Sequence, residues 1–270
     1  MTQRIEAALD GVLARIGEVA VAVSGGVDSM TLAFVAGRRL ALSATMVHAV
    51  SPAVPPEATE RVRCYARKEH WRLELIDAGE FSDPNYLRNP ANRCFFCKTN
   101  LYGAIAGRTG ATIISGTNVD DLGDFRPGLK AAEEHGVRHP YVEAGLCKAE
   151  VRALARHHRL VDLAELPAAP CLSSRLETGL RVTPEALDLV HAVETLISRA
   201  LTPRTVRCRV FHDGVRIELD PEGLARLRAP SSTEIRCAIE DLVQARGEAR
   251  QISYEPYRMG SAFHRLRAHG

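Results

Sequence analysis

The chain has 270 residues, of which 46% are hydrophobic and 25% charged, with a formal net charge of +2. That composition suits a globular protein with room for two modest cores, and its near-neutral balance excludes strong non-specific attraction to nucleic acid. No apolar run approaches the ~20 residues of a membrane span, and the residues around Arg4 and Glu6 lack the apolar stretch of a secretion signal. The expected location is the cytoplasm, where seven cysteines argue for metal or reactive-thiol roles over disulfides.

In chain order, strands are predicted over 18–24, 44–50, 72–77 and 111–116, and helices over 28–37, 57–70, 95–108 and 148–158. Apolar strands joined by helical crossovers predict an α/β domain, a parallel sheet covered on both faces. The first strand runs into Val21-Ala22-Val23-Ser24-Gly25-Gly26-Val27-Asp28-Ser29 and then into an apolar helix. Adjacent Gly25 and Gly26 let backbone amides approach an anion, and the helix N-terminus adds unsatisfied N–H groups and its positive dipole end. Ser24 and Ser29 can donate hydroxyl hydrogen bonds, and Asp28 can hold a Mg²⁺ that bridges phosphates. The spacing fits neither G-x-x-x-x-G-K-[ST] nor G-x-G-x-x-G. The plain alternative is an ordinary glycine turn. Ligands of such sheets bind at the carboxyl ends of the strands, so 25–26, 48–54 and 116–121 are expected around one crevice.

Pro167 and Pro170 stiffen a predicted boundary near 165–180. Beyond it, a helix over 184–200, strands 206–211 and 215–219 joined by His212-Asp213-Gly214, two helices and a strand at 251–254 predict a small α+β unit. The division expected is 1–170 and 171–270. Basic residues gather at Arg204, Arg207 and Arg209 and again from Arg250 through Arg258, His264, Arg265, Arg267 and His269.

Four further segments carry chemistry. Cys94-Phe95-Phe96-Cys97 can bring two thiolates to one metal or cluster, or form a redox dithiol. The segment from Ser115 and Gly116 through Thr117, Asn118, Asp120, Asp121 and Asp124 can orient a nucleotide or hold Mg²⁺; a solvated acidic turn is the alternative. Cys171, between Pro170 and Arg175, can be a nucleophile, a third cluster ligand or a buried structural thiol. Strand alternation puts Arg207 and Arg209 on one face, either as a phosphate or carboxylate clamp or as a charged outer face.

Ser-Gly-Gly-x-Asp-Ser resembles the PP-loop of ATP pyrophosphatases, whose fold is the adenine nucleotide alpha-hydrolase-like parallel sheet. Together with the Gly116–Gly128 segment, Glu143-Ala144-Gly145-Leu146, Pro170-Cys171-Leu172-Ser173-Ser174-Arg175 and Tyr257-Arg258-Met259-Gly260-Ser261, it resembles the LarE family, sulfur transferases of nickel-pincer nucleotide synthesis. The resemblance spans nearly the whole chain. It implies a PP-loop ATP pyrophosphatase domain over 1–170 and an α+β substrate or oligomerisation domain over 171–270. A carboxylate of pyridinium-3,5-biscarboxylic acid mononucleotide would attack ATP, giving an acyl-adenylate and pyrophosphate, and sulfur would then displace AMP to leave a thiocarboxylate. The implied nucleotide contacts are Ser24, Gly25, Gly26, Asp28, Ser29, His48, Ser51, Gly116, Thr117 and Asp121; Arg175, Arg207 and Arg209 are the substrate contacts. In one branch of the family the cysteine matching Cys171 gives up its own sulfur. In another, that cysteine and a pair matching Cys94 and Cys97 hold a [4Fe-4S] cluster, and three thiolates with one open iron fit that chemistry here. The implied cofactors are ATP, Mg²⁺ and the cluster. The implied partners are a nicotinate-derived mononucleotide, sulfide or another sulfur donor, and further copies of the chain, with neither membrane nor nucleic acid. Many relatives carry an aromatic-Asp-Lys-Pro run before the Cys171 motif. Here Ala164-Glu165-Leu166-Pro167 stands there, and Lys148 or Lys98 would have to substitute for that lysine.

Three other readings compete. A PP-loop tRNA thiolase would share the adenylation but need an RNA surface. An ammonia-dependent PP-loop ligase leaves Cys94, Cys97 and Cys171 unexplained. A non-enzymatic nucleotide or redox sensor would bind ATP without releasing pyrophosphate.

Overall fold

A computed structural model describes residues 2–123, 126–168, 170–245, 251–259 and 261. Asp124, Gly260, Arg250, His264, Arg265, Arg267 and His269 from the motifs and basic clusters above lie outside the described residues. The chain divides into two compact units, residues 1–83 with 92–169, and 84–91 with 170–270.

The first unit is α/β. Strands β1 (Val19–Ala22), β2 (Ala44–Ala49), β3 (Arg72–Ile76) and β4 (Thr112–Ser115) form one sheet in the order β3-β2-β1-β4, with every pairing parallel. Its helices are α1 (Thr2–Ile16), α2 (Val27–Leu40), α3 (Pro56–Lys68), α4 (Arg93–Ala106), α5 (Pro127–Glu134) and α6 (Lys148–His157), with short helical turns between them. At β1 the sheet is buried on both faces, because that strand is apolar at every position, while edge strand β3 is partly exposed. Val19 and Val21, with Val23 just beyond, join a cluster containing Leu9, Phe34, Met46 and Leu154. Ala20 and Ala22 join the opposite cluster with Val47, Tyr102 and Ile113.

Helix α1 was not expected from the sequence. Its inward stripe is Ile5, Leu9, Val12 and Leu13, a spacing of one helical face, and it packs against α2 and α6. Helix α5, entered through Pro127, was also unexpected and packs on α4.

The register brings the reactive turns together. Ala22 of β1 lies opposite Val47 of β2 and Ser115 of β4, so the chain leaves all three strands at one edge of the sheet. Beyond β4, Ser115 N–H donates to Arg138 O at 3.0 Å, and Arg138 N–H to Ile113 O at 2.9 Å, which adds a short parallel bridge outside β4.

The second unit is α+β. Helix α7 (Pro184–Leu201) is capped by the Thr183 hydroxyl, which accepts from Ala186 N–H at 3.2 Å, and it buries Leu187, Val190, Val193 and Ile197. Strands β5 (Val206–Val210) and β6 (Gly214–Leu219) form the expected hairpin, closed by Phe211 N–H to Gly214 O at 2.8 Å. Helices α8 (Pro221–Arg228) and α9 (Thr233–Gln244) follow, and β7 (Gln251–Pro256) joins the far side of β6 in parallel. Residues 84–91 are built into this unit. The Tyr86 hydroxyl meets Ser173 Oγ at 2.7 Å, Asn89 Nδ2 donates to Glu177 O at 2.7 Å, and Val182 N–H donates to Leu87 O at 2.9 Å.

Among the described residues no helix is long and apolar enough to cross a membrane. One close approach governs the joining edge of the sheet: a Cβ on Gly116 would lie 2.7 Å from Ser29 N and 2.8 Å from Asp28 C. Those backbone atoms cannot yield cheaply. Gly116→Ala is therefore expected to lower the melting temperature through a loss of about 1–3 kcal/mol, read by thermal denaturation; an unchanged melting point would show that the turn and α2 can separate freely.

Candidate active site

The turn between β1 and α2 is shaped by Gly25. Its φ of +82° lies in the left-handed region, and a Cβ there would stand 2.8 Å from Ala58 O. Arg61 donates from NH1 to Gly25 O at 2.9 Å, which ties the turn to α3. Within the turn, Ser29 Oγ accepts from Ser24 N–H at 3.0 Å and donates to Gly26 O at 3.2 Å, and the two serine hydroxyls lie 3.0 Å apart. Gly26 caps α2 without a side chain, so the first amides of the helix have no side-chain acceptor. The turn thus presents helix N–H groups, two hydroxyls and the positive end of a dipole in one place.

Asp28 stands in the first turn of that helix. Its Oδ2 pairs with Lys148 Nζ, its backbone carbonyl accepts from the Tyr141 hydroxyl at 3.1 Å, and its buried Oδ1 has no hydrogen-bond partner among the described residues. Lys148 is the first residue of α6, and its backbone N–H donates to Asp120 Oδ2 at 3.0 Å. The acidic turn after β4 therefore reaches α6 through Asp120. Asp121 closes its own turn by accepting from Asn118 N–H at 3.1 Å and pairs with Arg126 at 2.8 Å. Thr117 Oγ1 lies 3.1 Å from Ser115 Oγ, which meets His139 Nδ1 at 2.9 Å.

His48 lies behind the turn, 1% exposed, with Nδ1 2.8 Å from Val23 O and Nε2 2.9 Å from Thr59 Oγ1. Val23 O can only accept, so Nδ1 carries the proton and Nε2 accepts from Thr59. Both nitrogens are used within the scaffold, and the ring braces β1 against α3. Ser51 Oγ accepts from Ala53 N–H at 3.3 Å at the end of the next strand.

Cys94 and Cys97 occupy the first turns of α4, three residues apart on one helix face, the former exposed and the latter half-buried. Neither is in a disulfide, nor is half-buried Cys171 in the second unit. Among the described residues, no three or more His, Cys, Asp or Glu side chains are arranged to hold a metal ion.

In the second unit, Arg175 donates from Nε and NH2 to Glu194 at 3.0 and 3.1 Å, and from NH1 to Pro170 O at 2.6 Å and Cys171 O at 3.1 Å. Arg209 is 4% exposed, pairs through Nε with Glu218 at 2.8 Å, and reaches Arg258 O at 3.1 Å through NH2. It is no part of a solvated outer face. Arg207 donates to Val206 O at 2.6 Å and holds its guanidinium 5.9 Å from the Tyr257 ring centre. Burial, reinforced by the positive charge of Arg175, pushes the Arg207 pKa down. Between the arginines, Cys208 is fully buried, which pushes its thiol pKa up and makes it inert.

Sequence reasoning attached no role to Arg61, Tyr141 or His139, whose partners are distant in the chain. Lys148 had been named only as a replacement for a missing lysine.

Over 222 residues the chain is 31% identical to the pyridinium-3,5-bisthiocarboxylic acid mononucleotide synthase of Lactiplantibacillus plantarum, a match covering 79% of each chain. The chain belongs to the family of that synthase. It is also 40% identical over 208 residues to an uncharacterized protein of Synechocystis sp., covering 75% of this chain and 76% of that one. An uncharacterized protein of Methanocaldococcus jannaschii is 22% identical over 210 residues, covering 76% of this chain and 79% of its own. No family model matches the chain. Within the synthase family, this chain's strand-to-helix turn, Asp28 and Lys148 form one connected group on one edge of the sheet.

The brace at His48 makes the first unit sensitive to acid. Burial lowers its pKa from 6.5, so the unfolded chain binds the proton more readily than the folded one. The stability that neutral His48 contributes is present above the unfolded pKa and is lost as pH falls below ~6.5 towards the folded value. His139, whose pKa is also lowered chiefly by burial, adds to the same trend. Urea unfolding should show stability dropping between pH 7.5 and 5, with a shallower drop in His48→Gln; equal slopes would remove His48 from the effect.

Proposed function

We propose that the protein is an ATP-dependent sulfur transferase that activates a carboxylate of pyridinium-3,5-biscarboxylic acid mononucleotide as its adenylate and converts it to a thiocarboxylate. The Ser24–Ser29 turn is read as a PP-loop. The observation that carries the reading is Asp28: a carboxylate in the first turn of a helix without a side-chain cap, with a buried oxygen that has no partner among the described residues. A lone anionic oxygen at that depth fits a cation ligand. Magnesium bound there would supply charge stabilisation for the departing pyrophosphate.

The chain's own residues carry the remaining steps. The α2 amides with Ser24 and Ser29 hold the phosphates, and Gly116, Thr117 and Asp121 border the same edge. Holding the substrate carboxylate against the α-phosphate supplies proximity, which can reach ~7–11 kcal/mol in well-oriented systems. The carboxylate oxygen bonds to the α-phosphorus as the bond to the pyrophosphate oxygen breaks. Arg207, with Arg175 and Arg209 around it, is assigned the substrate's anionic group.

Two sulfur sources fit the thiols. Cys94, Cys97 and Cys171 would hold a [4Fe-4S] cluster, and its chemistry would be to carry a sulfide on the iron that lacks a protein ligand. The second is Cys171 itself: its thiolate displaces AMP to give a thioester, and loss of the Cα proton with cleavage of the Cβ–S bond leaves the thiocarboxylate and dehydroalanine. The number of thiols in the sequence motifs, three with one iron left open, favours the cluster; the described residues do not gather them into a metal site. Expected partners are the mononucleotide, a sulfur donor and further copies of the chain.

Asp28→Ala should reduce ATP-dependent pyrophosphate release by about 100-fold or more, measured with the mononucleotide present; retained release would remove Asp28 from cation binding and the loop from ATP cleavage. The sulfur source is read from anaerobically purified protein. About four irons per chain, lost in both Cys94→Ala and Cys171→Ala, would establish the cluster. Iron-free protein that loses the mass of hydrogen sulfide after one turnover would make Cys171 the donor.

A further inference from the structure

The pairing of Asp28 with Lys148 has a consequence for how the cation enters. We propose that Lys148 and the divalent cation compete for Asp28, so that the cation binds only together with the nucleotide. The proposal rests on the nucleotide reading of the turn and assigns Lys148 as a positioning residue within it.

The ammonium of Lys148 takes Oδ2 of Asp28, and Oδ1 is buried without a partner among the described residues. One carboxylate thus faces one cation already. A divalent ion arriving alone at Asp28 would have to sit beside the ammonium already paired with that carboxylate, an arrangement Coulomb repulsion opposes. The ammonium cannot be carried away by its backbone. Lys148 N–H is fixed on Asp120 Oδ2 at 3.0 Å, and Cys147 N–H donates to Glu150 Oε2 at 2.9 Å, which secures the first turn of α6. Asp28 is equally fixed, by its place in α2 and by the Tyr141 hydroxyl on its carbonyl. What can move is the four-carbon stem of Lys148, whose side chain is 35% exposed.

A triphosphate at the turn changes the balance. Its oxygens offer the ammonium another anion within reach of the same stem, and they bring the negative charge that a cation at Asp28 needs. Lys148 then moves from carboxylate to phosphate while the cation takes Asp28. The two ligands become coupled, and by reciprocity the cation tightens the nucleotide as much as the nucleotide tightens the cation. The exchange also accounts for a lysine at this edge in a chain that lacks one before Cys171.

The test uses Mn²⁺ as the cation, followed by its paramagnetic resonance signal, with the full chain and with or without a non-hydrolysable α,β-methylene analogue of ATP. Wild type should bind Mn²⁺ poorly alone and much more tightly with the analogue. Lys148→Met should bind Mn²⁺ alone about ten-fold more tightly than wild type, because the competing charge is gone, and its coupling to the analogue should shrink. Lys148→Arg, which keeps the charge, should exclude Mn²⁺ as wild type does; this variant separates loss of charge from altered packing. Equal Mn²⁺ affinity in wild type and Lys148→Met without nucleotide would overturn the exchange. If wild type does not bind the analogue at all, the nucleotide reading falls instead.

Discussion

Two backbone approaches hold the site together, and both depend on the absence of a side chain. Gly25 brings the turn after β1 onto the start of α3, and Gly116 brings the turn after β4 onto the first turn of α2. Parallel strands leave their sheet in one direction, so three chain segments must crowd the same edge. Without the glycines that crowding would push the segments apart and open the space where the α2 amides point. Arg61 on Gly25 O and His48 on Val23 O then fix the turn from the α3 side. The backbone of the turn is therefore hydrogen-bonded to its scaffold, while the first turn of α2 keeps a carboxylate oxygen without a partner among the described residues and no side-chain cap.

That contrast is what separates a site from a turn. Buried polar groups in a settled scaffold find partners, and an unmatched one costs free energy that the rest of the structure must offset. His48, Ser29 and Asp121 all have partners inside the protein. Asp28 Oδ1 does not. Its neighbour Oδ2 is satisfied by the ammonium at the end of the four-carbon Lys148 stem rather than by a rigid backbone donor.

Much of the first unit was legible in the sequence because its signals are local. β1 to β4 are short β-branched or apolar runs ended by turn residues, and each crossover helix was found within a few residues of its ends. Helix α1 was legible too, through Ile5, Leu9, Val12 and Leu13, but its stripe precedes the first strand and was passed over. Other features had no local signal. Residues 84–91 sit among elements of the first unit in the chain, yet their hydrogen bonds go to Ser173, Glu177 and Val182. β7 pairs in parallel with β6 across two intervening helices, a choice that period-two alternation cannot make. Alternation did put Arg207 and Arg209 on one face, but whether water or protein covers a face is decided by segments elsewhere. The carboxylates that bind Arg175 and Arg209 come from α7 and β6.

Those two ion pairs show how the second unit uses charge. Removing two charges from water costs several kcal/mol per ion, and the loss is recovered only when nearly every donor and acceptor is matched. Here the matching is close to complete. Glu194 accepts from Arg175 and from Cys208 N–H at 2.9 Å, while Glu218 accepts from Arg209 and from the Ser261 hydroxyl at 2.5 Å. Such pairs add little net stability, but they permit one arrangement and penalise the rest. The arrangement they fix is the backbone around Cys171: Glu194 orients Arg175, and Arg175 NH1 holds the carbonyls of Pro170 and Cys171. The backbone at Cys171 is thereby set by the fold before any ligand arrives. Breaking Glu194 would leave Arg175 buried and unpaired and release the Cys171 backbone. The acidic residue that sets the Cys171 backbone therefore lies on a helix that carries no motif.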